Sequence, residues 1–130
     1  MTEKLELYKC EICGNMVEVV LSGVGELVCC GEPMEKLKPK TDELDPALKE
    51  KHIPVVNRLD DGIEVVVGSN LHPMEENHYI QFVEITSPDK KSVTRKYFEP
   101  HEMPILEYKC KCPTPTATEY CNIHGLFESM

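Results

Sequence analysis

Residues 53–69, IPVVNRLDDGIEVVVGS, decide the fold. Two runs rich in Val and Ile flank Asp60-Asp61-Gly62, a turn-forming triplet, so the stretch predicts a β-hairpin. Toward the C-terminus, HYIQFVEIT (78–86), SVTRKYFE (92–99) and PILEYKCK (104–111) continue the pattern, each bounded by Pro, Gly, Ser or Asp. Short strands in succession, without helical runs between them, predict an all-β sandwich or barrel. Toward the N-terminus, Asp45 followed by Pro46 suits the start of one short helical turn through ALKEK. Before it, KPKTDELDP (38–46) is charged, carries two prolines and reads as a linker. Residues 1–37 hold four cysteines and only short apolar runs, too little to form a core unaided, so this module needs a metal staple. The predicted organisation is a small module (1–37), a linker (38–46) and a β-rich domain (47–130).

Composition narrows the function. The cysteines number seven, an odd count, and the first 30 residues contain no apolar run of signal-peptide length. The expectation is a reducing cytoplasm with metal-bound thiolates in place of a disulfide framework. Charges interrupt every hydrophobic run, which argues against a membrane-spanning helix. Net charge is -9, from 14 basic and 23 acidic residues, and no Lys/Arg block offers a track for phosphates, so nucleic acid is excluded as a partner. An acidic chain repels a small anion unless positive charge is concentrated at the site.

Cys10-Glu11-Ile12-Cys13-Gly14 is a thiolate knuckle, and Cys29-Cys30-Gly31 supplies a second sulfur pair. Four thiolates suit a tetrahedral ion, and spacing leaves zinc and iron both open. Adjacent cysteines depart from the two-residue gap of zinc ribbons, which favours iron. A second constellation comprises His52, His72, His78, Cys121 and His124. Imidazole with thiolate selects a transition metal over calcium or magnesium. His72 and His78 flank Pro-Met-Glu-Glu-Asn, a polar stretch suited to turning both rings toward one point. Taken alone, Cys121 and His124 read equally as a metal pair or as a buried thiol beside an unrelated histidine. His101 reads as a surface residue, and Cys110 and Cys112 as free thiols.

YKCEICGN (8–15), ELVCCGEPM (26–34), EKHIPV (50–55), HPMEENHYI (72–80) and EYCNIHG (119–125) together resemble the desulfoferrodoxin family of two-iron superoxide reductases. The resemblance spans nearly the whole chain and weakens between Ser87 and Ala117. It implies a desulforedoxin-like module followed by an immunoglobulin-like β-sandwich. It also implies that Cys10, Cys13, Cys29 and Cys30 hold one iron. A second iron would have His52, His72, His78 and His124 in a plane, Cys121 on the axis and the sixth position open. Lys51 would supply local positive charge, and Glu50 would act as a removable lid on the open position. The implied reaction is one-electron reduction of superoxide to hydrogen peroxide without oxygen release. Rubredoxin or a similar protein would be the electron donor, and the chain would form a homodimer. Asn77 and Tyr79 stand where the family often carries Lys and an aromatic, commonly Trp. The rival readings are a rubredoxin-like electron carrier and a zinc-stabilised binding module. A metallohydrolase is disfavoured because the second set lacks a water-positioning carboxylate.

Overall fold

The structure is a computed structural model describing residues 1–41, 46–109 and 113–129. The expected cap at Asp45 and the thiols Cys110 and Cys112 lie outside the described residues. The chain divides into two units, Met1–Lys38 and Pro39–Met130.

In the first unit, β1 (Leu7–Lys9) pairs antiparallel with β2 (Met16–Glu18). The strands β3 (Val28–Cys29) and β4 (Glu32–Pro33) form a separate two-stranded ribbon, and β5 (Glu35–Lys36) returns to β1. The ribbon turns through Cys30 (φ 54) and Gly31 (φ 75), both left-handed, as a tight two-residue hairpin requires. The buried apolar residues of this unit, among those described, are Leu7, Cys10 and Val19, a core that cannot hold so short a chain by itself.

The second unit opens with α1 (Pro46–His52), followed by β6 (Pro54–Arg58), β7 (Ile63–Val67), β8 (Ile80–Thr86), β9 (Val93–Tyr97), β10 (Ile105–Tyr108), β11 (Thr116–Cys121) and β12 (Gly125–Glu128). They form two antiparallel sheets, β10-β7-β6 and β12-β11-β8-β9. The hairpin read from residues 53–69 forms with Pro54 opposite Val67 and Arg58 opposite Ile63. Alternation on β7 sends Ile63, Val65 and Val67 wholly inward. There they meet Ile80, Val83, Ile85, Ala117 and Cys121 from the other sheet, so two inner faces make one sandwich core. Glu84 is buried on β8 but bonded twice by Arg95 on β9, at 2.7 and 3.0 Å.

Three features were not evident from residue patterns. The helix extends to His52, placing that ring in its last turn, and stops there because Ile53 precedes Pro54 and is disfavoured in helical conformation. Residues 116–128 form a hairpin whose turn is the Cys121–His124 knuckle. Lys40, within the expected linker, bridges Phe127: its N–H donates to the Leu126 carbonyl (3.0 Å) and its carbonyl accepts from the Glu128 N–H (2.9 Å). Among the described residues no helix is long and apolar enough to cross a membrane.

Gly68 joins the end of β7 to the end of α1. Its φ is +87, and an added Cβ would lie 2.3 Å from the Asn70 carbonyl oxygen and 2.6 Å from that of Lys51. Gly68→Ala is expected to cost about 2–4 kcal/mol, combining left-handed strain with the clash, as read from the midpoint of denaturant unfolding. An unchanged midpoint would mean that the Lys51 and Asn70 carbonyls move aside freely.

Candidate metal centres

The thiol groups of Cys10, Cys13, Cys29 and Cys30 converge within 4.8 Å of one another. The Cys13 N–H points to the Cys10 sulfur at 3.5 Å, and the Gly14 N–H closes the knuckle on the Cys10 carbonyl at 2.9 Å. N–H groups of Cys13 and Ile12 draw the Cys10 thiol down to about 7. The neighbouring sulfurs of Cys13, Cys29 and Cys10 push Cys30 up to about 12, and Cys29 also rises. Without a cation, negative charge is thus favoured on Cys10 and opposed on Cys29 and Cys30. Sulfurs bound about 2.3 Å from a tetrahedral ion stand about 3.8 Å apart. The observed separations are 3.6 Å for Cys13–Cys29 and 3.9 Å for Cys29–Cys30. All four positions of such an ion would be filled.

The second set is built from α1, the segment between β7 and β8, and the β11–β12 turn. Donor atoms of His52, His72, His78 and Cys121 lie within 4.8 Å of one another. His124 adjoins them, with Nδ1 3.8 Å from the Cys121 sulfur. The imidazole centroids form a circuit: His52–His72 4.5 Å, His72–His78 4.7 Å, His78–His124 5.2 Å and His124–His52 4.7 Å. The diagonal His52–His78 is longer, at 6.2 Å, with the two rings within 29° of parallel.

Hydrogen bonds fix which nitrogens face inward. His52 Nδ1 lies 2.9 Å from the Leu48 carbonyl, and His72 Nδ1 lies 2.6 Å from the Pro73 carbonyl. Carbonyls only accept, so both Nδ1 atoms carry hydrogen. Burial pushes both rings down to about 4, so they are neutral and each Nε2 bears a lone pair. Those two Nε2 atoms face each other at 3.1 Å. Lone pairs so placed repel unless a cation lies between them, and nitrogens at right angles about 2.1 Å from one ion stand about 3.0 Å apart. The His78 Nε2 is buried with no hydrogen-bond partner among the described residues. The residues present thus fit a bound transition metal, with ring orientation held by backbone carbonyls behind the donors.

Cys121 forms the floor and is wholly buried. Burial raises its thiol, while the N–H groups of His124 and Ile123 oppose that rise. Glu50 and Lys51 are exposed at the end of α1. Glu50 accepts a hydrogen bond from the Asn70 side chain, and its backbone carbonyl accepts from Ser69 Oγ at 3.2 Å and from the Asn70 N–H at 3.2 Å. Burial lowers the His78 ring; the charges of His124 and, more weakly, Lys51 act in the same direction, and Glu75 opposes them. His101 is exposed in a loop outside both donor sets.

Sequence reasoning missed Asn122. Its side chain donates to the Asn77 carbonyl (3.1 Å) and accepts from the Tyr79 N–H (2.9 Å), clamping the knuckle to the His78 segment. Its only sequence signal is its place inside Cys-Asn-Ile-His. Phe127, also missed, is wholly buried and stacks on His52 with centroids 4.6 Å apart. Glu119, buried with neither carboxylate oxygen hydrogen-bonded among the described residues, is pushed well above the usual carboxylate range by desolvation.

Residues 2–37 match the family profile "Desulfoferrodoxin, N-terminal domain" and residues 45–130 the profile "Desulfoferrodoxin". The chain belongs to the desulfoferrodoxin family. It is 48% identical to the desulfoferrodoxin of Syntrophotalea carbinolica over 129 residues, 99% of this chain and 98% of that one. It is 33% identical over 97 residues to a protein of Pyrococcus abyssi named superoxide reductase, covering 62% of this chain and 84% of that one. The crystal structure of the superoxide reductase from Treponema pallidum superposes with a TM-score of 0.75 over 100% of both chains, at 24% identity, a likeness of fold. The architecture is a desulforedoxin-like module followed by an immunoglobulin-like sandwich. The two donor sets, one of four thiols and one of four imidazoles with a thiol, match the two-iron arrangement of desulfoferrodoxins.

The neutral rings carry a pH signature in the metal-free protein. His52 and His72 fall from an ordinary 6.5 to about 4 on folding, so the unfolded chain binds protons more readily. Their stabilising contribution is complete above pH 6.5 and is lost as pH falls toward 4. Urea unfolding of metal-free protein across that window should show a falling midpoint; a flat one would contradict the burial of neutral imidazoles.

Proposed function

We propose that this desulfoferrodoxin is a superoxide reductase acting in the cytoplasm. Its catalytic domain is 47–130, joined by the linker 38–46 to a four-cysteine iron module at 1–37. The observation carrying the reading is the circuit of four imidazoles over a buried thiol, a donor set that an electron carrier with a filled four-thiolate site does not need. We assign His52, His72, His78, Cys121 and His124 to the catalytic iron and Cys10, Cys13, Cys29 and Cys30 to the other.

Iron in the second set would supply one electron to superoxide at an exchangeable position; with two protons the product is hydrogen peroxide, and no oxygen forms. The protein's part is electrostatic and steric. Lys51, next in sequence to the donor His52, supplies a cation near the site, the local attraction that an acidic chain needs for an anionic substrate. Glu50 has its carboxylate held by the Asn70 side chain and its backbone carbonyl by Ser69 and the Asn70 N–H; the family resemblance assigns it the role of a removable carboxylate over the second iron. Burial of His52 and His72 keeps bulk water from their Nε2 atoms. Rubredoxin or a similar small redox protein is the electron donor that the family resemblance implies. Val20, Leu21, Val24 and Val28 are exposed on the small module, which supports association with a second copy in a homodimer.

The test is metal content and visible spectrum, then rapid mixing of reduced protein with superoxide. Two irons per chain and one peroxide per second-site oxidation, without oxygen, are expected. Zinc in both sites, or iron in the first alone with no superoxide reaction, would leave a structural or carrier protein. Cys121→Ser should slow the reaction more than about 100-fold, beyond the usual effect of an outer-shell change, while the spectrum of the four-thiolate centre persists. Lys51→Ala should slow the bimolecular step about 10-fold at low salt and progressively less as salt rises.

A further inference from the structure

Lys40 lies outside both donor sets, in the segment that reads from sequence as a linker, yet it touches the second site at two points. Its Nζ donates to the His124 carbonyl at 2.8 Å. The same ammonium lies 5.3 Å from the centroid of Phe127, the ring that stacks on His52. Backbone bonds to Leu126 and Glu128 hold Lys40 in place whatever its side chain does.

We infer that Lys40 is a positioning residue for the second centre, anchoring His124 directly and His52 through Phe127, and setting a fixed positive charge behind them. The inference rests on the reading of that site as an iron centre. The charge stands close to the donors: the ammonium is bonded to the backbone of His124 and lies 5.3 Å from the Phe127 centroid, which is itself 4.6 Å from that of His52. A cation behind the donors disfavours the oxidised metal, which carries one more positive charge, and so raises the reduction potential. Because Lys40 is exposed, the effect is open to screening by salt.

Lys40→Gln keeps a hydrogen-bond donor and removes the charge, whereas Lys40→Arg keeps the charge. Both are made in the full chain loaded with iron, and iron content and the midpoint potential of the second centre are measured at low and high salt. The expected result is a downward shift for Lys40→Gln that narrows at high salt, with Lys40→Arg close to wild type. Loss of the second iron alone in Lys40→Gln, with both irons retained in Lys40→Arg, would equally support the anchoring role. Two irons at an unchanged potential in Lys40→Gln would overturn the inference, as would Lys40→Arg behaving like Lys40→Gln. A wild-type chain without iron in the second set would instead defeat the functional reading, and this inference with it.

Discussion

Two backbone carbonyls, those of Leu48 and Pro73, govern the second centre. Each takes the Nδ1 hydrogen of a buried ring, which forces the lone pairs of His52 and His72 to face one another. Lone pairs so placed repel each other, and a cation between them turns that repulsion into attraction. The helix must end where it does for this to happen. Ile53-Pro54 stops α1 at His52, and the Leu48 carbonyl lies one turn back, beneath the ring. Gly68 then lets the end of β7 approach the same turn closely enough to carry the chain on toward His72.

The two centres solve the same electrostatic problem in different ways. In the small module the sulfurs of Cys13 and Cys30 are exposed, and N–H groups aimed at Cys10 lower the cost of the first negative charge. In the sandwich, desolvation keeps the His52 and His72 imidazoles neutral, and the donor thiol of Cys121 is buried in the hydrophobic core between the sheets. The register irregularity between Tyr120 and Cys121 on β11 lies where the strand leaves its pairing with β8 and enters the knuckle, so the sheet supplies the floor of the site directly.

Residue identity and spacing made the donor sets legible, because thiols and imidazoles carry their chemistry in the side chain. The hairpin at 53–69 was legible for a similar reason: its Val/Ile alternation and Asp-Asp-Gly turn are local. What was not legible depends on partners without a residue signature or far away in sequence. The Leu48 and Pro73 carbonyls could belong to any residue. The Lys40–His124 contact spans 84 positions, and nothing in KPKTDELDP distinguishes one lysine from its neighbours. Strands β11 and β12 were hidden because CNIHG, read as a metal knuckle, is also the turn between them.

The division after Lys38 has a bearing on ancestry. Every sulfur of the first set precedes it, and all five donors of the second set follow it. Among the described residues each donor set is drawn from one unit only. A genetic recombination event at that junction would deliver a complete coordination sphere on each side of the break. Either piece can therefore be inherited, duplicated or lost without leaving a half-built site in the remainder.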